Sequence, residues 1–272
     1  MQQFSTSPRE MVASLWRNRE LTLALIKREV IGRYRGSIFG ILWSFFNPVV
    51  MLAVYTFVFS VVFKARWNAG SESKTEFALV LFAGLIVFNL FSECLNRAPG
   101  LILANVNYVK KVVFPLEVLP WVSLGSALFH SIISLFVWLI FYLLFFGTPP
   151  ITALVLPLVF IPLMLFTMGI SWFLAALGVY LRDTAQFIGI LSTVLMFMSP
   201  IFYPVSSLPP DIQHLFLLNP LTPVIEQTRD VLIWNKLPEN LTTLLYFPAA
   251  AFFSWMGFAW FQKTRKGFAD VI

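Results

Sequence analysis

The sequence predicts an all-α polytopic membrane protein with six transmembrane helices. Hydrophobic residues make up 58% of its 272 residues and charged residues only 12%, about half the charged share of a soluble globular domain. Largely apolar stretches alternate with more polar segments, and each apolar stretch is long enough as a helix to cross the hydrocarbon core. The predicted spans are residues 38–63, 77–95, 118–146, 151–181, 184–203 and 241–262.

Residues 1–37 are predicted to form a cytoplasmic amphipathic helix followed by a cationic collar. Over Pro8–Ile31, most apolar side chains fall on one helical face, which is the pattern of a helix lying along a membrane. Arg19 interrupts this face, so a break near Asn18 stays open. Cations beside a first span remain cytoplasmic, and the collar contains Lys27, Arg28, Arg33 and Arg35.

The first span is long for a membrane helix. Residues 38–63 would rise about 39 Å against a hydrocarbon core of roughly 30 Å, so we expect a tilt or a bend, with the bend at Pro48. Gly32, Gly36 and Gly40 recur at a spacing of four just before it. This spacing predicts either a close approach of another backbone or a hinge.

Polar segments connect the other spans. Residues 96–115 are predicted to be a cytoplasmic loop containing a short helix over residues 101–113 that ends at Pro115. The shorter connections are the external segments 64–76 and 147–150, the cytoplasmic turn 182–183 and the cytoplasmic tail 263–272.

Residues 204–240 differ in kind from these connections. They are rich in proline and carry several charges, yet they keep apolar patches such as Leu215–Leu218. The pattern favours short helices that dip into the outer membrane boundary. Irregular backbone at that depth needs protein cover or a cavity to line, and an element that caps a pore meets this condition.

The distribution of charge tests the six-span prediction. It assigns 14 of the 19 Lys and Arg residues to the cytoplasmic side, as the positive-inside rule requires, and it places both termini there. The same rule accounts for the pI of about 9.6, so a nucleic-acid partner is not predicted. The N-terminus shows no signal peptide pattern.

No catalytic residue is predicted. Phosphate-loop, nucleophile-elbow and zinc-helix motifs are missing, and one cysteine with two histidines predicts no metal site and no bound cofactor. An acid within a span is a functional candidate by default, but Glu93 lies near enough to the boundary to pair with Arg97, and this interpretation is favoured. His130 is interpreted as a packing residue because no acid lies near it in sequence.

Four blocks carry a resemblance to a known family. The blocks occur in the same order as in the permease subunit of type-2 ABC exporters for lipid-linked polysaccharide, which the sequence resembles over nearly the whole chain. The O-antigen exporters are the branch it resembles most, with the teichoic acid exporters related and the capsule exporters similar in layout. The blocks are KREVIGRYRGSIFGILWSFFNPVVMLAVYTFVFSVVF, NVNYVKKVVFPLEVLP, YLRDTAQFIGILSTVLMFMSPIFYP and LNPLTPVIEQTRDVLIW.

The resemblance implies partners and a location. The chain would form a homodimer in the bacterial inner membrane and pair with two nucleotide-binding subunits, which would use ATP and Mg²⁺. Its cargo would be an O-antigen polysaccharide linked to undecaprenyl diphosphate, with teichoic acid or capsule polysaccharide as alternatives. The first helix would be the interface helix, and residues 204–240 the periplasmic gate. Coupling to the ATPase would fall on Asn105, Asn107, Lys110, Lys111, Arg182 and Asp183.

Such a cargo needs a lined path, since its hydroxyls and phosphates would lose their hydrogen bonds in hydrocarbon. Guanidinium groups match phosphate oxygens, so Arg33 and Arg35 are candidates for the diphosphate, although a purely topogenic collar is the alternative. Aromatic rings contact sugars without fixed hydrogen-bond geometry. The candidates for this lining are Trp43, Phe46, Tyr55, Phe197, Phe202 and Tyr203, for which ordinary lipid-facing or interfacial positions are the alternative.

Two other classes of membrane protein remain as alternatives. An integral membrane enzyme acting on polyprenyl lipids would need acids or histidines clustered on one face, whereas Glu93, Asp183 and His130 are scattered in the sequence. A channel would need no ATPase. Both rank below transport, and uphill transport by this chain would take its energy from another subunit.

Overall fold

The computed structural model describes residues 4–62, 67, 74–110, 114–217, 219–238 and 240–272, and the regular structure in these ranges is entirely helical. The all-α prediction is therefore confirmed. The helices are α1 (Pro8–Arg17), α2 (Arg19–Tyr34), α3 (Trp43–Tyr55), α4 (Lys74–Arg97), α5 (Val106–Lys110), α6 (Val118–Phe146), α7 (Leu156–Tyr180), α8 (Thr184–Met198), α9 (Pro210–Leu217), α10 (Leu221–Leu232), α11 (Asn240–Thr264) and α12 (Phe268–Val271). Most of the predicted external loop 64–76 lies outside the described residues.

Several helical segments suit a membrane. Within the described residues, five helical segments are long and apolar enough to cross a membrane. They are Gly40–Phe59, Thr75–Gly100, Val118–Phe146, Ile151–Tyr180 and Thr243–Val271. The chain is thus a polytopic membrane protein. α8 is also apolar but has 15 residues, a rise of about 22 Å.

α8 ends at Met198, before the boundary predicted at residue 203. The reason is local. Ser199 precedes Pro200, and the proline ring disfavours helical backbone in the residue before it. Ser199 accordingly takes extended dihedral angles, with φ −99° and ψ 147°. Residues 199–203 therefore belong to the irregular segment that leads into α9.

α4 is the centre of the fold. It is buried on all sides from Phe77 to Phe88, as expected for a helix that is apolar all round. It contacts α6, α7, α8 and α10. Because α4 is surrounded, its two charged residues near the end, Glu93 and Arg97, meet side chains from several other helices.

α7 and α11 pack at backbone distance. A Cβ atom added to Gly257 would lie 2.0 Å from the carbonyl oxygen of Gly169, and one added to Gly169 would lie 2.6 Å from that of Phe253. Only glycine permits this approach, which is typical of helix pairs in membranes.

The N-terminal helix is broken at Asn18, next to the arginine that interrupts its apolar face. α1 ends at Arg17, and the Asn18 side chain donates to the Ser14 carbonyl at 2.8 Å. After α2, Gly36 and Gly40 have φ values of +86° and +52°, and Cβ atoms added to them would meet no atom within 4 Å. These glycines form a turn into the first span, not a close contact within this chain.

The first span is irregular after its proline. α3 continues through Pro48, where a bend was predicted, and the widened helical turn follows at Thr56–Val62. Such π-type turns weaken the regular hydrogen-bond ladder and are frequent at functional sites.

The predicted tail 263–272 is packed against the bundle. It forms the turn Arg265–Gly267 and the short helix α12, whose Phe268 is fully buried against Phe261 and Tyr180. The end of the bundle that holds α1 and α12 is called the terminal end below. The opposite end holds α9 and α10.

Candidate functional site

A cavity of 590 Å³ opens between α2, α3, α4 and α6. α2 contributes its last two residues, α6 contributes residues 127–134 near its middle, and α3 and α4 contribute along much of their length. The lining combines charged side chains with amides, hydroxyls and aromatic rings. Of the predicted substrate-binding residues, Arg33, Trp43 and Tyr55 line it.

The charged residues of the cavity lining centre on Glu93. Arg33 Nη1 lies 2.5 Å from Glu93 Oε1, and Arg97 Nη1 lies 3.5 Å from the same oxygen. The Glu93 side chain is only 16% exposed, whereas that of Arg33 is 49% exposed. Arg97 also pairs with Glu29 of α2. Two guanidinium groups from different helices therefore converge on one nearly buried carboxylate.

His130 of α6 completes this cluster. Its Nδ1 lies 3.1 Å from Glu93 Oε2, and its Nε2 lies 3.1 Å from the Tyr34 hydroxyl. Because a carboxylate only accepts hydrogen bonds, we assign Nδ1 as the donor to Glu93. Arg33 Nη1 also lies 3.1 Å from this nitrogen. Glu93, Arg33, Arg97, His130 and Tyr34 are called the charged cluster.

The rest of the lining offers uncharged partners. Asn47 and Asn89 supply amides, and Ser131 and Ser134 supply hydroxyls, so donors and acceptors are both present. Trp43 and Tyr55 add flat apolar surfaces beside them. This combination suits a ligand with hydroxyl groups and apolar C–H faces, such as a sugar.

A row of aromatic rings leads from the cavity toward the opposite end. Tyr55 and Phe59 have ring centroids 6.4 Å apart, Phe59 stacks on Phe202 at 5.3 Å, and Phe202 lies 6.0 Å from Phe197. These four residues are called the aromatic row. It brings together predicted lining residues from two distant parts of the chain. Phe59, which joins them, was not predicted.

Three predicted residues lie outside both the cavity lining and the aromatic row. Phe46 packs edge-on against Trp43 with centroids 6.4 Å apart and is exposed. Tyr203 donates to the Phe197 carbonyl at 2.7 Å and meets Phe216. Arg35 is exposed and lies just after α2.

At the opposite end, Arg229 of α10 is the central buried residue. It is 1% exposed and donates to the carbonyl oxygens of Val80, Pro200 and Ile201 at 3.1, 2.6 and 2.8 Å. It also pairs with Glu226 at 3.0 Å and lies over the Trp67 ring. Burial lowers the pKa of Arg229 to about 10, so the guanidinium stays charged at neutral pH. It ties α10 to α4 and to the segment after α8.

At the terminal end, Glu117 joins several elements. Its Oε1 accepts from Ser14 Oγ at 3.0 Å, and its Oε2 accepts from Arg265 at 2.5 Å. Arg265 also donates to the Phe114 carbonyl at 2.8 Å. The start of α6 is thus tied to α1 and to the segment after α11.

The predicted coupling residues lie at this end as well. Asn105 donates to the Leu101 carbonyl at 2.8 Å and is half-buried, while Asn107 and Lys110 are exposed. Lys111 lies outside the described residues. Arg182 and Asp183 are exposed in the turn between α7 and α8.

The loop before α5 and the end of α7 are in contact. A Cβ added to Gly178 would lie 2.1 Å from the Pro99 carbonyl oxygen. α5 is held in turn by Tyr108, which accepts a hydrogen bond from Arg28 at 3.0 Å and stacks on Phe114 at 4.2 Å. The exposed coupling residues therefore project from a packed surface.

Apart from Arg33, which was predicted, the charged cluster was missed by sequence reasoning, and so were Arg229 and Glu117. Glu93 carried a signal, because an acid within an apolar span is costly unless it is used. His130 carried none, since Glu93 is remote from it in sequence. Among the described residues, no group of three or more His, Cys, Asp or Glu side chains is placed to hold a metal ion.

Comparison with known proteins identifies the class. Residues 20–233 match the family of ABC-2 type transporters, and the chain belongs to this family. It is therefore a transport permease and not an enzyme, as predicted.

Particular relatives cover nearly the whole chain. It is 26% identical to the O-antigen export system permease protein RfbA of Myxococcus xanthus, over 96% of this chain and 99% of that protein. A protein of the same name from Klebsiella pneumoniae is 24% identical over 93% of this chain and 95% of its own length. The polysialic acid transport protein KpsM of Escherichia coli is 26% identical over 80% of this chain and 83% of its own. The predicted resemblance to the O-antigen branch is confirmed.

Proposed function

We propose that this chain is the permease of an ATP-driven exporter that moves O-antigen polysaccharide, linked to undecaprenyl diphosphate, across the bacterial inner membrane. The full-length similarity to O-antigen export permeases supports the cargo. The observation that carries the proposal is the cavity, whose lining contains two guanidinium groups paired with Glu93 together with amides, hydroxyls and aromatic rings.

The two parts of the cavity match the two parts of this cargo. Arg33 is placed for the diphosphate, because its side chain lines the cavity and is half-exposed. The amides, hydroxyls and Trp43 are placed for the glycan. The aromatic row continues the path toward the opposite end, and its rings let a polymer slide without breaking directed hydrogen bonds.

The terminal end is the cytoplasmic end in this proposal. It carries both termini and the collar cations, as the positive-inside rule requires. A separate nucleotide-binding subunit, which holds ATP and Mg²⁺, docks on residues 96–115 and on the Arg182–Asp183 turn. α8 serves as the fifth of six membrane elements, and residues 204–240 form the periplasmic gate, which Arg229 holds in place.

Two copies of the permease form the transport unit. Apolar side chains on α3 and α8 are exposed in the single chain, and a second copy would cover them. They include Phe46, Val50, Phe187, Ile190 and Phe197.

Deleting the gene in its native host tests the function. We expect full-length lipid-linked O-antigen to accumulate on the cytoplasmic face, with none at the cell surface, and a plasmid copy of the gene to restore export. Normal surface O-antigen in the deletion strain would refute the proposal.

Capsule polysaccharide export is a second candidate, because the polysialic acid transport protein KpsM also aligns with this chain. The deletion strain separates the two candidates. Loss of capsule with normal O-antigen would assign the chain to capsule export.

A further inference from the structure

We propose that Arg97 and Arg33 together form the diphosphate site, and that Glu93 is an internal counterion which the diphosphate displaces. This inference rests on the proposed function and deepens it. The position of Arg33 in the collar before the first span predicted that it binds the diphosphate. The roles of Arg97 and Glu93 follow only from the packed structure.

The geometry of Glu93 resembles that of a bound phosphate. Its Oε1 accepts a hydrogen bond from Arg33 of α2 at 2.5 Å and forms a longer ion pair of 3.5 Å with Arg97 of α4, which also pairs with Glu29. Carboxylate and phosphate oxygens are interchangeable partners for guanidinium groups. In the structure, the two guanidinium groups share one oxygen of Glu93. A diphosphate has more oxygens than a carboxylate, so it can give each guanidinium group an oxygen of its own.

Glu93 can release the guanidinium groups at limited cost. Its Oε2 accepts a hydrogen bond from His130 Nδ1 at 3.1 Å, and Tyr34 holds the opposite nitrogen of that ring. The carboxylate therefore keeps a partner after displacement, and an unpartnered buried carboxylate would otherwise be strongly unfavourable. The Arg33 and Arg97 side chains are 49% and 34% exposed, so an incoming ligand reaches them.

Direct binding to the permease–ATPase complex tests the inference. The complex is purified into nanodiscs of phosphatidylcholine and titrated with farnesyl diphosphate as the probe. Glu93→Gln removes the competing charge but keeps the shape, so we expect about tenfold tighter binding than in the wild type, and about tenfold weaker binding for Arg97→Ala. Weaker or unchanged affinity in Glu93→Gln would overturn the counterion role, and unchanged affinity in Arg97→Ala would overturn its place in the site.

Control variants separate the possible failures. Glu10 pairs with Arg17 at 2.6 Å on the exposed face of α1, so Glu10→Gln loses a similar pair far from the cavity and should keep wild-type affinity. If Glu93→Gln does not assemble, Glu93→Asp withdraws the carboxylate by one methylene and should also tighten binding. Absence of probe binding in the wild type and in Glu93→Gln would overturn the diphosphate cargo itself. Wild-type binding without tightening in Glu93→Gln would overturn only the present inference.

Discussion

Arg265 and Glu117 form an ion pair of 2.5 Å that fastens the C-terminal segment to the start of α6. Their side chains are 12% and 7% exposed, so water screens the pair little. Glu117 also accepts from Ser14 of α1. The two ends of the chain are thereby tied to one carboxylate at the end of the bundle proposed to meet the ATPase.

Replacing Arg265 should destabilise the protein. Arg265→Ala leaves the Glu117 carboxylate buried without its cation, a change that costs roughly 3–5 kcal/mol for buried pairs. We expect a clearly lower thermal unfolding midpoint of the detergent-purified complex. Lys266→Ala is the matched control, because Lys266 is the adjacent exposed cation, and its midpoint should stay at the wild-type value. Equal midpoints for the two variants would contradict the role of the pair.

Arg229 should be irreplaceable even by lysine. Arg229→Lys keeps the charge, but a single ammonium cannot reproduce the planar fork that reaches Val80, Pro200 and Ile201. We expect both Arg229→Lys and Arg229→Ala to lose surface O-antigen, measured by immunoblotting of a complemented deletion strain. Lys236→Ala, at an exposed position after α10, should export normally. Full export by Arg229→Lys would show that charge alone suffices there.

Gly257→Ala should prevent proper packing of α7 against α11. The added methyl group would lie 2.0 Å from the Gly169 carbonyl oxygen, so the helices must separate. We expect low levels in the membrane fraction and aggregation in size-exclusion chromatography. Gly32→Ala is the control, because no atom lies within 4 Å of the added methyl group. A monodisperse Gly257→Ala protein of wild-type stability would contradict the close contact.

Arg33 and Arg35 should differ in function. Arg33→Ala with Arg35→Ala should insert and assemble but lose ATPase stimulation by lipid-linked glycan. Arg33 lines the cavity, whereas Arg35 is exposed and outside its lining, so Arg33→Ala alone should account for most of the loss. The measurement is ATP hydrolysis by the reconstituted complex with and without substrate. Unchanged stimulation in the double variant would remove Arg33 from the diphosphate site.

Phe59→Ala should slow export without affecting assembly. It interrupts the aromatic row between Tyr55 and Phe202, and Phe59→Trp should restore a ring surface there. Pulse labelling of surface O-antigen measures the rate. Phe57→Ala changes an exposed neighbour on the same turn and should leave the rate unchanged. Equal rates for Phe59→Ala and Phe57→Ala would show that the row does not guide the glycan.

Much of the helical framework was predictable because hydropathy is a local property. The helix predicted over residues 118–146 has the same bounds in the structure. The break near Asn18 was indicated by Arg19, which interrupts the apolar face of the helix. The premature end of α8 was also readable, since Pro200 disfavours helical backbone at Ser199. The apolar pattern of residues 184–203 is a stronger signal and predicted a longer helix.

Hydropathy and charge along the chain were sufficient for the all-helical membrane class, and the order of its motifs was sufficient for the exporter family. The charged cluster required the packed structure, because Arg33, Glu93 and His130 come from three helices and become neighbours only when these surround the cavity. The same holds for Arg229 and for the Arg265–Glu117 pair. A helical period specifies which face is apolar, but the pairing of buried charges depends on which helices pack together and in what register.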